Sequence, residues 1–259
     1  MKKIGSLLIL LGFFVISCSS DDSNGNNNNG NATNFLPVAT GNYWVYDVQG
    51  SLQNGRDSLY VANDTVIGNN TYKKLKTKFL ASGFFSGALG NNGVRISGDE
   101  LLISGSATIP FSEQFPVSIA ISDFKIFKEG AANNTQLDNV SGTINQTYEG
   151  VPLTIDYTLT TTAKENLATY SVDDQTYTNV KRIETKLSLA ISANFQGLPI
   201  PLMSDQDVLI SSQYYAEGIG VVYVDTRFQY ELGPFGAQLP IPQSGSETQE
   251  EILIDYEVE

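Results

Sequence analysis

Apolar and polar residues alternate with a period of two along most of the chain beyond residue 35. Leu153, Ile155, Tyr157 and Leu159 are separated by Thr154, Asp156 and Thr158. Thr185, Leu187, Leu189 and Ile191 form a second such run, and Val222, Val224, Thr226, Phe228 and Tyr230 a third. Val117, Ile119 and Ile121 alternate with serine or alanine, and Ile252, Ile254, Tyr256 and Val258 alternate with Glu251, Asp255 and Glu257 around Leu253. Each run predicts a strand with one dry and one wet face, as antiparallel sheets have. In this reading Glu251 lies on the wet face of the last run, and Leu253 is an apolar exception there.

Turn residues separate the runs: Asn54-Gly55, Gly68-Asn69-Asn70, Asn91-Asn92-Gly93, Ser97-Gly98-Asp99 and Asn133-Asn134. No helical periodicity extends beyond about two turns. The fold class that follows is all-β, a single antiparallel β-rich domain over residues 35–259 with about ten strands. A curved sheet, a partial barrel and a sandwich all satisfy the pattern. Gly41-Asn42-Tyr43-Trp44-Val45-Tyr46 opens the first strand, with Trp44 and Tyr46 as core anchors. Gly218 and Gly220 provide for a bulge or a left-handed turn. Tyr148-Glu149-Gly150-Val151-Pro152-Leu153 is echoed by Phe195-Gln196-Gly197-Leu198-Pro199-Ile200, and Leu239-Pro240-Ile241-Pro242 repeats part of it. These read as hairpin connections stopped by proline; clustered at one end of the body, they would form an apolar patch.

The first 34 residues have a different character. Met1-Lys2-Lys3 is a basic start, and Ile4 to Ile16 is a short apolar run, below the ~18 residues that span a bilayer. Val15-Ile16-Ser17-Cys18 resembles the lipobox of bacterial lipoproteins. That resemblance implies a signal peptide over 1–17, cleavage before Cys18, and lipidation of Cys18. Ser19, Ser20, Asp21 and Asp22 resemble the acidic export tag of Bacteroidetes-type surface lipoproteins. With Ser23–Asn34, rich in Asn and Gly, they make residues 18–34 a flexible tether. The resemblance implies an outer-membrane, cell-surface location with membrane attachment through the lipid; a periplasm-facing body is the alternative. Several acyl chains, at ~0.8 kcal/mol per buried CH₂, anchor firmly.

Composition removes whole classes of chemistry. There is no histidine and only one cysteine, so His-based triads, His-ligated zinc and intramolecular disulfides are excluded. A net charge of −13 opposes nucleic-acid binding. Asp173-Asp174, Asp99-Glu100, Asp205 with Asp207, and Glu247 with Glu250 and Glu251 are the acid groupings. A glycosidase would need such a pair across a cleft, and Asp205 with Asp207 is the grouping suited to weak Ca²⁺ binding. In the basic stripe Lys73, Lys74, Lys76, Lys78, the last three share one face of a strand while Tyr72 and Lys73 start the other, and the stripe reads as a wet face balancing acids on its neighbours. No catalytic residue, metal site or cofactor is assigned. The expectation is a non-catalytic binding or structural envelope module facing a glycan, an envelope protein or another envelope component. The alternative is a carrier of an apolar ligand similar to half-barrel lipoprotein carriers, and a carboxylate-based glycan hydrolase is the remote one. A dry cavity lined by aliphatic side chains distinguishes the carrier; a filled core with outward aromatics distinguishes the binding module.

Overall fold

A computed structural model describes residues 34–51, 54–110, 116–148, 150–238 and 242–259. Cys18, the 19–22 segment and the signal peptide therefore lie outside the described residues. Strands β1 (Tyr43–Gly50), β2 (Gly55–Ile67) and β3 (Asn70–Thr77) precede a short helix, α1 (Phe84–Asn91). Strands β4 (Gly93–Ser97), β5 (Glu100–Pro110) and β6 (Pro116–Lys128) complete the first half. The second half comprises β7 (Thr135–Tyr148), β8 (Val151–Val172), β9 (Gln175–Phe195), β10 (Leu198–Ala216), β11 (Gly220–Glu231) and β12 (Ser244–Glu257).

All twelve strands belong to one antiparallel sheet in the order β6-β5-β4-β3-β2-β1-β12-β11-β10-β9-β8-β7. The expected all-β single domain is thus a nearly closed barrel. Its two edges, β6 and β7, approach one another without laddering. Side chains stitch this seam at Lys125. Its N–H donates to Asp138 Oδ2 of β7 at 2.8 Å, and its carbonyl accepts from Thr161 Oγ1 of β8 at 2.6 Å. An edge strand left unpaired would be a template for aggregation, and these bonds satisfy its backbone from the side.

The period-two pattern places its apolar members inside. Val117, Ile119, Leu153, Ile155, Leu187, Leu189, Ile191 and Val224 are buried in one continuous core. Thr154, Thr158 and Thr160 alternate with them on the outside, so the barrel is dry within and polar without, the reverse of a membrane-spanning barrel. Trp44 and Tyr46 are fully buried, as expected of anchors, and donate to the carbonyls of Ile219 (2.6 Å) and Val221 (2.8 Å). Gly218 and Gly220 adopt φ of +74° and +118°, and a Cβ on Gly220 would meet the Trp44 indole.

Adjacent strands run oppositely, so connections alternate between two ends. The β3–β4 connection, with α1, shares one end with the β7–β8, β9–β10 and β11–β12 connections. The two described members of the apolar repeat, around Gly150 and Gly197, are hairpin turns at this end, where Phe195 and Leu198 pair and are well exposed. Residues 239–241 of the third copy lie outside the described residues. Asn34, placed in the tether by composition, is held at the opposite end, its carbonyl accepting from Gly218 N–H at 2.9 Å. Phe35 and Leu36 then enter the core, with the Phe35 ring 5.0 Å from that of Phe127.

One strand departs from the sequence reading over part of its length: Ile252 is buried and Val258 packs against the core as read, but the middle of the strand does not follow. On β12, Glu251 and Leu253 point inward, whereas Ile254 and Tyr256 are exposed. Glu251 pairs with Val48 and Val224, both core residues, and the ladder shifts register between Leu253 and Asp255. A carboxylate occupies a core position because α1 presents donors there.

Candidate functional site

Helix α1 has little intrinsic reason to exist. Its sequence FFSGALGN carries two glycines and no capping side chain of its own; each glycine costs about 1 kcal/mol relative to alanine, and eight residues are too few to be helical alone. The barrel caps it instead. Asp57 of β2 accepts from Ser82 N–H (2.9 Å) and Gly83 N–H (2.7 Å). Gln249 of β12 accepts from Phe84 N–H at 2.7 Å. Glu251 accepts from Phe85 N–H (2.6 Å), Ser86 N–H (3.0 Å) and Ser86 Oγ (2.6 Å). Five consecutive backbone donors, the four orphans of a helix start and the Ser82 N–H before them, thereby find partners on β2 and β12. At the other end Asn92 donates to Ala88 O and Ser106 O and accepts from Ser106 N–H, fastening α1 to β5.

Burial pushes the Glu251 carboxyl up to about 7; the Ser86 and Phe85 donors oppose this, and the neighbouring Asp57 charge adds to it. Gly83 gives Glu251 its approach, since a Cβ there would coincide with the carboxylate.

Between α1 and the inner face of the sheet lies a cavity of about 290 Å³. Its deep wall is Phe85, Leu89, Ile121, Phe124, Leu187 and Tyr215, supplemented by other aliphatics of β5, β6, β8 and β10. Asn91, Ser106, Ala107 and Thr108, partly or well exposed, form its mouth between α1 and β5. Among the described residues that line it there is no Lys, Arg, Asp or Glu. Its polar groups are mostly occupied: Gln213 donates to Ser211 Oγ and accepts from Thr185 Oγ1. Among the fully buried side chains of the lining the exception is Tyr215. Its ring packs 4.7 Å from Phe127 and edge-on to Phe85 at 6.4 Å, and its fully buried hydroxyl has no hydrogen-bond partner.

No protein-family model, curated protein or solved structure matches this chain. The site therefore stands on its own geometry.

The acid groupings seen in the sequence do not assemble around it. Asp173 and Asp174 occupy the exposed β8–β9 turn. Asp207 accepts from Ser188 Oγ at 2.6 Å and pairs with Lys186 at 3.3 Å, while Asp205 is exposed. Asp99 and Glu100 are bound by Lys128, and Glu100 also by Lys125. Glu250 and Glu251, adjacent on β12, take opposite faces; Glu250 accepts from Tyr223 Oη outside, at 2.7 Å. No group of three or more His, Cys, Asp or Glu suited to a metal occurs among the described residues. In the basic stripe, Lys73 pairs with Asp64 directly across the ladder at 2.6 Å, while Lys74 of the other face donates to Asn92 O at 3.5 Å.

Among the described residues, the outer face carries an aromatic grouping. Tyr170 and Tyr214 stack at 4.2 Å between ring centroids, and Tyr223 lies 5.5 Å from Tyr214, with the Arg182 guanidinium 5.9 Å above the Tyr214 ring. The three come from β8, β10 and β11 and are half-buried. Sequence reasoning reached neither Tyr215 as a cavity residue nor Glu251 as a helix cap, because both roles depend on a helix the sequence does not announce.

Proposed function

We propose that the protein is a lipid-anchored envelope module that binds a small apolar molecule inside its barrel. The observation that carries this reading is the 290 Å³ cavity lined by aliphatic and aromatic side chains. Such a volume lies near the lower end of small-molecule pockets, which run from roughly 300 to 1,000 Å³, and cavities of ~150 Å³ already admit benzene. Lipidation at Cys18 and outer-membrane attachment rest on the lipobox resemblance. A tether leaving at Asn34 would turn the α1 end, with the cavity mouth, away from the anchor. The cavity favours a carrier or sensor of a compact ligand over a carrier of long acyl chains.

The test is binding of naphthalene to the full-length protein in lipid nanodiscs, with empty nanodiscs as the blank. Saturable one-to-one binding is expected, lost in Ala107→Phe, which fills the mouth. Binding that matches empty nanodiscs, or that is unaffected by Ala107→Phe, would remove the reading.

A second reading is favoured by the outer tyrosine grouping: recognition of a glycan or an envelope protein across β8, β10 and β11. Half-buried aromatics beside Arg182 and Glu250 offer stacking surface and charged hydrogen-bond partners together. Retention on immobilised envelope polysaccharide, abolished in Tyr214→Ala, tests it.

A further inference from the structure

Cations are scarce in this chain, and most of them are paired. All but Lys2 and Lys3 fall among the described residues, and eight of these form ion pairs with a carboxylate. Lys181 lies over the Phe35 ring. The other four, Arg56 on β2 with Lys74, Lys76 and Lys78 on β3 and just beyond it, are neighbours on the outer wall and form no ion pair among the described residues. The Lys74 ammonium, held below its usual range by burial and by the charge of Lys76, reaches only the Asn92 carbonyl at 3.5 Å.

This stripe runs directly into the two most exposed large apolar side chains among the described residues. Phe79 is 76% exposed and Leu80 is 96% exposed. Tyr60, across the ladder from Lys76, is also exposed on this wall. Alternate residues of a strand stand about 7 Å apart, so Lys74 to Lys78 cover roughly 13 Å. The acids of β1 to β3 are engaged: Asp64 by Lys73, Asp57 by the start of α1, and Asp47, opposite Arg56, by Gln49. Charges more than about 8 Å away are screened at physiological salt. A surface brought against this wall therefore meets the stripe and not the acidic remainder of the body.

We propose that the β2–β3 wall docks on an anionic phospholipid bilayer, with Arg56, Lys74, Lys76 and Lys78 against the head-group phosphates and Phe79 and Leu80 in the acyl boundary. Either feature alone would suit another partner. An acidic polymer in water would satisfy the lysines and leave Leu80 exposed. An apolar protein surface would bury Leu80 and leave the lysines without counter-charge. A bilayer containing anionic lipid offers phosphate and hydrocarbon at adjacent depths. Lysine suits that boundary, since its stem lies along apolar surface while its ammonium stays in the polar layer. The contact depends on neither Cys18 nor the cavity, and it lays the barrel on its side.

The experiment acetylates the full-length protein with a water-soluble reagent in the presence of nanodiscs, made of phosphatidylcholine alone or with one third phosphatidylglycerol. Mass spectrometry reads the modification at each lysine. With phosphatidylglycerol present, Lys76 and Lys78 are expected to react roughly fivefold more slowly. Lys128 and Lys186, paired with acids elsewhere on the barrel, keep the same rate in both discs and report that the fold is intact. At about 1 M salt, where screening acts within ~3 Å, most of the protection is lost. Phe79→Ser combined with Leu80→Ser keeps every cation and alters only exposed side chains, and it at least halves the protection.

Equal rates at Lys76 and Lys78 in the two kinds of disc would overturn the proposal. So would slowing of all lysines alike, with Lys128 and Lys186 included. Protection unchanged by the two serine substitutions would assign the stripe to a soluble polyanion and overturn the bilayer as its occupant. Inorganic polyphosphate giving the same protection beside phosphatidylcholine discs would do so too. None of these outcomes alters naphthalene binding in the cavity, which is read separately.

Discussion

Glu251, on the inner face of the barrel, receives both the backbone N–H and the hydroxyl of Ser86 on one carboxylate oxygen, at 3.0 and 2.6 Å. This contact joins β12 to the first turn of α1 and hence to the cavity wall. Its protonation carries a stability consequence. The folded-state value, raised by burial to about 7, exceeds the ordinary 4.5, so between these values the folded state holds a proton that the unfolded state has released. Stability from this group is therefore greatest below about pH 4.5 and declines by about 1.4 kcal/mol per pH unit until about pH 7. Asp99, Glu100 and Asp123, whose folded values are lowered, act in the opposite sense and lose their contribution as pH falls. Subtraction isolates Glu251: the stability of Glu251→Gln minus that of wild type, from urea denaturation, rises from pH 4.5 to 7. A flat difference would show that the helix donors keep the carboxylate ionised.

Gly83 is the position at which that carboxylate reaches the helix. Its φ is −80°, so any residue could adopt the backbone; the obstacle is the Glu251 side chain. Gly83→Ala is expected to destabilise by about 1–3 kcal/mol through overpacking. A double-mutant cycle with Glu251→Ala should show coupling, with the second substitution recovering part of the loss. Additive effects would deny the contact its importance.

At the seam, two side chains, Asp138 of β7 and Thr161 of β8, bind the backbone of one β6 residue, Lys125. Removing them by Asp138→Ala and Thr161→Val should raise hydrogen exchange at the Lys125 amide by roughly tenfold, each bond contributing ~0.5–1.5 kcal/mol. Amides of β1 and β12, at the middle of the sheet, should be unaffected. Uniform acceleration over all strands would instead indicate global destabilisation.

Attachment to the membrane is predicted from Cys18 alone. Cys18→Ala should leave a protein without lipid that is no longer retained in membrane fractions, as measured by fractionation and by mass spectrometry of the N-terminus. Firm retention of this variant would contradict the lipoprotein reading.

Much of the sheet was legible because its inner positions are monotonously aliphatic. The runs at Leu153–Leu159 and Leu187–Ile191 could have only one dry face, and Trp44 had to be buried. β12 was misread for a physical reason. Its inner face holds Gln249, Glu251 and Leu253, and the two polar members serve α1 and not water. Nothing local reveals this, since their partners are about 165 residues away. α1 itself was invisible because its caps are tertiary and its glycines oppose helicity. The cavity was beyond sequence for a further reason: it is a volume left unfilled by side chains from α1, β5, β6, β8, β9 and β10, each of which reads as ordinary core.

The strand order places an unusual demand on the chain. Every ladder but one joins strands consecutive in sequence, so β1 to β6 and β7 to β12 can each zip hairpin by hairpin at small loop-closure cost. The exception, β1 with β12, is also the centre of the sheet and unites partners about two hundred residues apart. Because Glu251 and Gln249 belong to β12, the same late encounter caps α1 and closes the cavity. Until that encounter the chain is two meanders with exposed inner edges, and α1 has only Asp57 and Asn92 to cap it. The cavity, walled by α1, β5 and β6 from one half and β8, β9 and β10 from the other, is therefore completed only where the two halves of the chain meet.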